Sequence, residues 1–184
     1  REVGLAAGAP PTTRGYTQSV FNRLARLVAR AGRFRKGSLT AFYTVLMEGD
    51  DLQDPLVDAV RSFLDGHVVL SRSLASDGWY PPIDILESIS RLMPAIVSEE
   101  HRVAAMVVRR LLSTWARSED LVRIGAYKPG SDADLDRAIR FRPAIRDYLA
   151  QEARERGNFG DARRDLLRLV SSMGATQTAT GQKS

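Results

Sequence analysis

Two consecutive prolines, Pro81 and Pro82, follow directly on Trp79 and Tyr80, and no other feature constrains the backbone as tightly. Each proline holds its own φ at about −65° and biases the residue before it away from the helical region. Helix is therefore disfavoured at this point, and Tyr80 sits on rigid backbone as a platform on which a flat ring can stack. The segment continues Ile83-Asp84-Ile85-Leu86-Glu87-Ser88-Ile89-Ser90-Arg91. A guanidinium placed after small polar residues suits a phosphate, because its planar fork presents several donors at once. On these residues alone the plainer account is Tyr80 at a core edge and Arg91 in a surface ion pair.

The 184 residues suffice for one domain with a real core, or one domain plus a small appendage. The chain begins at Arg1, inside what reads as a helix, and is expected to be a fragment. Its 27 Lys and Arg against 22 Asp and Glu give a net charge of +5. The excess is concentrated early, where residues 1–47 contain Glu2 as their only acid. Such a balance fits nucleic acid, an acidic membrane surface or an acidic partner. With no cysteine there is neither a disulfide framework nor a thiolate metal site. His67 and His101 are too far apart in sequence to point to a zinc site. No apolar run reaches the roughly 18 residues of a membrane span, and no signal peptide is visible, so a soluble, cytosolic protein is expected.

Along the chain, residues 1–16 read as a Gly- and Pro-rich loop after a truncated helix. From Ser19 a helix is expected with Val20, Leu24, Leu27 and Val28 on one face, ending by Gly32. The basic link Arg33-Phe34-Arg35-Lys36 reads as a turn, or as an aromatic inside a nucleic-acid-binding run. Leu39 to Met47 has the near-continuous apolar character of a strand buried on both faces. Glu48-Gly49-Asp50-Asp51 breaks it; adjacent carboxylates admit Mg²⁺ or acid–base work. Asp54-Pro55 follows as an N-cap and first helical residue, which favours a turn and helix start. That helix should bury Val57, Val60 and Leu64, with a short strand at His67–Leu70 and another helical turn from Ser71. Alternating strands and helices predict an α/β unit with a parallel sheet.

Past residue 95 the pattern becomes helical. Ser98 caps a helix with Glu99 and Glu100 in its first turn, apolar almost all round from Val103 to Trp115 and so expected to be well buried. Ser131 with Asp134 resembles a capping box opening a helix with Leu135, Ala138 and Ile139. Pro143 is expected to interrupt or end it, with a further helix carrying Ile145 and Leu149 and another carrying Leu166, Leu167 and Val170. From Gly174 the tail has nothing to bury and reads as disordered.

Tyr80-Pro81-Pro82-Ile83-Asp84 with Ser88-Ile89-Ser90-Arg91 resembles the Y-P-A-[IV]-D…S-x-S-R segment of the hexameric rotary-type ATPases. The resemblance extends from Arg1 to about Gln151. Arg1 to Thr17 matches the family wording except at Ala9, where glutamate is usual, and E-G-D-D-x-x-D-P and L-D-G-H-[IV]-V-L-S-R recur in place. Ile124-Gly125-Ala126-Tyr127, Gly130-Ser131-Asp132 and Leu135-Asp136-Arg137-Ala138-Ile139 are similar to the flagellar and type III secretion export ATPases in particular.

The resemblance implies an α/β fold: the C-terminal half of a RecA-like P-loop NTPase domain over 1–95, a helical C-terminal domain over 96–173, and a tail over 174–184. It implies that Tyr80 stacks on adenine, that Tyr148 offers the adenine a second wall, and that Arg91 reaches a neighbouring subunit's ATP as an arginine finger. It puts the acidic loop on a central channel, away from the metal. ATP with Mg²⁺ is the implied cofactor, the Mg²⁺ ligands lying upstream of residue 1. Implied partners are further copies in a hexamer, an export-apparatus regulator, stalk proteins, and export substrates with their chaperones. The expected place is cytoplasmic and peripheral to the inner membrane, with no nucleic-acid partner.

A phosphate-cradling G-x-x-x-x-G-K-[ST] run is absent from the chain, and Lys36 and Lys128 lack the glycines such a loop needs. With no Walker-B aspartate or water-activating glutamate either, these 184 residues alone are not expected to hydrolyse ATP. Two alternatives stand beside an export motor. One is a non-catalytic nucleotide-binding ring subunit of a rotary ATPase; the other is a nucleic-acid motor of the same fold, which lacks an aromatic-rich strand-binding segment here.

Overall fold

The computed structural model describes residues 2–8, 10, 13–47 and 54–178. The expectations for Ala9, for the acidic loop Glu48–Asp51 and for residues 179–184 lie outside the described residues. Two compact units are formed, residues 1–67 and 68–184.

In the first unit, α1 (Glu2–Ala6) leads to a 3₁₀ turn (Thr13–Gly15), α2 (Gln18–Val28), a hairpin of β1 (Gly32–Arg33) and β2 (Ser38–Leu39), and α3 (Pro55–Phe63). Asp54 caps α3 as its sequence implied, its Oδ1 accepting from Leu56 N at 2.7 Å with Pro55 at the first helical position. Arg14, at φ 55°, reaches the same carboxylate at 3.2 Å. Val57 and Val60 are buried, and Leu64 is only half-buried.

The run at 39–47 departs from its expected role. Only Ser38–Leu39 is strand, pairing antiparallel with β1 in the register Gly32↔Leu39 and Arg33↔Ser38. Residues 40–47 have no regular structure, and Phe42 and Leu46 are 96% and 92% exposed. A doubly buried strand needs neighbours on its edges and cover on both faces. Among the described residues nothing supplies them to this run.

The division between units falls inside β3 (Gly66–Leu70). The second unit continues with α4 (Arg72–Ser76), β4 (Ile83–Ser90), α5 (Met93–Ile96), α6 (Glu99–Arg123), α7 (Ala133–Leu149) and α8 (Phe159–Thr178). β3 takes β4 as its partner strand, not the 39–47 run. The helices enclose the main core of Ala104, Val108, Leu111, Leu135, Ala138, Ile145, Leu166 and Met173.

Four expectations for the helices change. α6, capped by Ser98, buries one stripe (Ala104, Val108, Leu111, Thr114) and leaves Met106 57% exposed, because α7 and α8 cover only one side of it. Asp132, not Ser131, caps α7, accepting from Asp134 N at 2.9 Å and Leu135 N at 3.1 Å. Pro143 lies inside a continuous α7. An interior proline costs about 3 kcal/mol or more. Here Ala138 and Ile145, each 1% exposed, anchor both flanks, and the Arg142 guanidinium lies 4.4 Å from the Trp115 ring centre. Finally, α8 continues past Gly174 to Thr178, so the start of the expected disordered tail is helical.

Candidate nucleotide-facing site

The site is the segment between α4 and α5. Ser71 caps α4 and Gly78, at φ 71°, lets the chain turn out of it. Trp79 N then donates to Leu74 O at 2.9 Å. The Trp79 ring carries the Arg146 guanidinium 5.7 Å from its centre, and Arg146 Nη2 donates to Asp77 O at 3.4 Å. α7 therefore braces the approach to Tyr80.

The Tyr80–Pro81 peptide is cis. Pro82 O accepts from Ser71 N at 2.9 Å, tying the second proline to the start of α4, and Tyr80 O accepts from Gln151 N at 2.8 Å, tying the residue before the prolines to the loop after α7. The Tyr80 side chain is 56% exposed. It lines an open groove of about 870 Å³ with Pro81 and Pro82 on one side and Ala150, Gln151 and Glu152 on the other. That volume lies in the range of small-molecule sites. The groove combines an aromatic face with apolar rings and main-chain polar groups, chemistry that suits a flat heterocycle better than a phosphate.

Tyr148 does not line this groove. Its half-buried ring packs against the helical core, and its hydroxyl donates to Ala162 O at 3.1 Å. Burial, reinforced by the Asp165 carboxylate, pushes its phenol above the ordinary value. The wall opposite Tyr80 is instead the segment 150–155, which sequence reasoning missed. No residue type in Ala150-Gln151-Glu152 signals a pocket.

β4 was likewise not expected, although Ile83, Ile85 and Ile89 alternate as a strand face does. Asp84, Ser88 and Ser90 serve main-chain groups of β4, of β3 and of the turn that follows. Asp84 Oδ1 accepts from Leu86 N at 2.8 Å and Glu87 N at 3.0 Å, while the Ser88 hydroxyl donates to Asp84 O at 2.5 Å and accepts from Val69 N at 3.0 Å. Ser90 Oγ accepts from Met93 N at 3.2 Å and starts the next turn. Arg91 is exposed immediately past the strand end. Tyr80 and Arg91 thus stand at opposite ends of β4, whose eight residues span roughly 23 Å at about 3.3 Å per residue. The structure keeps these two apart.

A second concavity, of about 490 Å³ on α8, has its arginines engaged with carboxylates: Arg163 with Glu100, Arg164 with Asp161, Arg168 with Asp165. Among the described residues no group of three His, Asp or Glu side chains is placed to hold a metal ion, and no helix is long and apolar enough to cross a membrane. The described residues do not fit a Mg²⁺ site, and none is assigned to one.

The export-ATPase wording at 124–136 has a local structural role. The Tyr127 hydroxyl lies 3.0 Å from Asp132 O and 2.9 Å from Asp136 Oδ1, and Gly130 N donates to Asp136 Oδ2 at 2.9 Å. These bonds fix the turn between α6 and α7.

Residues 1–90 match the ATP synthase alpha/beta family, nucleotide-binding domain, and residues 97–168 match the T3SS EscN ATPase C-terminal domain. The flagellum-specific ATP synthase of Treponema pallidum (strain Nichols) is 52% identical over 170 residues, covering 92% of this chain and 38% of that protein. The assembled ATPase EscN of the enteropathogenic E. coli type III secretion system superposes with a TM-score of 0.87 at 43% identity, over 92% of this chain and 41% of EscN. EscN in complex with its central stalk EscO matches with a TM-score of 0.79 at 41% identity, over 92% of this chain and 40% of that one. The chain therefore spans about two-fifths of the length of these relatives. Its fold is the C-terminal part of a RecA-like domain followed by a helical domain. The chain belongs to the flagellar and type III secretion ATPases of the ATP synthase alpha/beta family, and matches their C-terminal portion.

Proposed function

We propose that this chain is the C-terminal part of a hexameric ATPase that couples ATP hydrolysis to type III protein export, flagellar export included. Residues 1–95 complete its RecA-like domain and 96–173 form the helical domain that faces the export machinery. Tyr80 stacks on adenine. Tyr148 acts from behind, anchoring the end of α7 three residues before Gln151, so that the wall facing Tyr80 keeps its place. Arg91 is the arginine finger and acts on the nucleotide of the next subunit.

The observation that carries this reading is the placement of Tyr80 and Arg91 at the two ends of β4. A strand of that length between them suits two side chains that serve different nucleotides. Such a division requires an adjacent copy, which the proposed hexamer supplies. An adjacent copy, a central stalk like EscO, an export-apparatus regulator, cargo with its chaperones and a cytoplasmic position against the inner membrane belong to the same proposal. ATP is the nucleotide, with Mg²⁺ held by residues outside this chain.

The test is Arg91→Lys in the full-length protein. Lysine keeps the charge but not the planar fork. Loss of an arginine finger lowers kcat by roughly 10³–10⁵, so a steep fall is expected, and retained turnover would refute the role.

A further inference from the structure

Arg109 lies in the middle of α6 and extends its guanidinium to the main chain of β4. Nη1 donates to Ile85 O at 2.7 Å and to Ser88 O at 3.1 Å, and Nη2 donates to Leu86 O at 2.6 Å. One rigid cation thus holds three carbonyls of the same strand in fixed relation. From within the strand, Asp84 and Ser88 satisfy the amides of Leu86, Glu87 and Val69. The stretch from Ile85 to Ser88 is therefore held by a helix through three of its carbonyls and by Asp84 through the amides of Leu86 and Glu87, while Ser88 ties it to β3 at Val69. Arg91 follows three residues after the last carbonyl that Arg109 holds.

We propose that Arg109 is a positioning residue for Arg91: it fixes the strand end from which the finger projects, and so couples the helical part of the chain to hydrolysis at the neighbouring nucleotide. This inference rests on the reading of Arg91 as the finger. A planar fork is required, because an ammonium on a flexible stem does not hold three carbonyls in one geometry. Misplacing a catalytic group by about 1 Å can cost about 100-fold in rate. Because these three hydrogen bonds end on main-chain carbonyls of β4 and none on Tyr80, loss of Arg109 should act on kcat and leave nucleotide affinity alone.

The experiment is a double-mutant cycle in the assembled full-length ATPase, with kcat and KM for ATP measured for Arg109→Ala, Arg91→Ala and the pair. Arg109→Ala should lower kcat about 10- to 100-fold at unchanged KM, and should add nothing in the Arg91→Ala background. A wild-type kcat, or a loss that multiplies with that of Arg91→Ala, overturns the proposal. If Arg109→Ala does not assemble, Arg109→Lys decides by the same cycle: a reduced kcat that vanishes as a difference in the Arg91→Ala background supports it, and a wild-type kcat overturns it. Arg91→Ala at wild-type kcat would remove the finger itself and the Arg109 role with it. A normal Arg109→Ala beside a crippled Arg91→Ala removes only the latter inference.

Discussion

Truncating Tyr80 to alanine tests the proposed stacking of adenine on its ring. A buried aromatic side chain accounts for about 150–250 Å². Tyr80 is 56% exposed, so a base stacked on it would remove about 100 Å² from water on the protein side. At about 25 cal/mol per Å² that is about 2.5 kcal/mol, an upper figure because a stacked base covers one face. Direct measurements of base–aromatic stacking give about 1–3 kcal/mol, and the two ranges agree. Tyr80→Ala should therefore weaken ATP about 5- to 70-fold, read as a dissociation constant with a fluorescent ATP analogue on the full-length protein and as a matching rise in KM. Tyr80→Phe keeps the ring and should bind within a factor of about two of wild type. Wild-type affinity in a folded Tyr80→Ala protein would refute the stacking argument. An equal loss in Tyr80→Phe would move the contribution from the ring face to the hydroxyl.

Two further outcomes follow from packing and ionisation. Ile145→Ala, at a site 1% exposed on the C-terminal flank of Pro143 in α7, should cost about 2–5 kcal/mol in denaturant unfolding, and a smaller loss would mean that Pro143 is not held by its surroundings. Tyr148 has its phenol pushed up by burial and by Asp165. Above pH of about 10 the unfolded chain releases this proton more readily than the folded one, so stability present below that pH is lost as pH rises through the folded value. Tyr148→Phe should flatten this alkaline decline in thermal unfolding, and an unchanged slope would argue against the buried phenol as its source.

What could be read from sequence was mostly local. Asp54-Pro55 and Ser98 were recognisable as helix starts because a cap involves only the next few residues. The rigid frame around Tyr80 was legible for the same reason. Apart from the α7 cap, placed one residue early at Ser131 instead of Asp132, the errors are non-local. Leu39–Met47 has strand composition, but a strand exists only beside another, and composition does not reveal whether one is there. Pro143 was read as a break because helix propensity ignores the packing of Ala138 and Ile145. β4 was obscured by Asp84 and Ser88, whose polarity serves the main chain and not solvent. The groove wall at 150–155 and the Arg109 clamp come from residues far along the chain, brought to Tyr80 and β4 only by folding.

The bond from Gln151 N to Tyr80 O has a consequence for how the two halves of this protein can diverge. Its donor is a main-chain amide, so any residue except proline at position 151 can make it. The helical part can thereby change its surface without disturbing the main chain that carries the Tyr80 ring. Chimaeras spliced between residues 90 and 97, where one family match ends and the next begins, inherit this tolerance at Tyr80. They do not inherit it at Arg109, where a side chain does the holding. Transplanted helices that carry an arginine at that position should exchange freely, and those that lack it mark the practical limit of modularity in the fold.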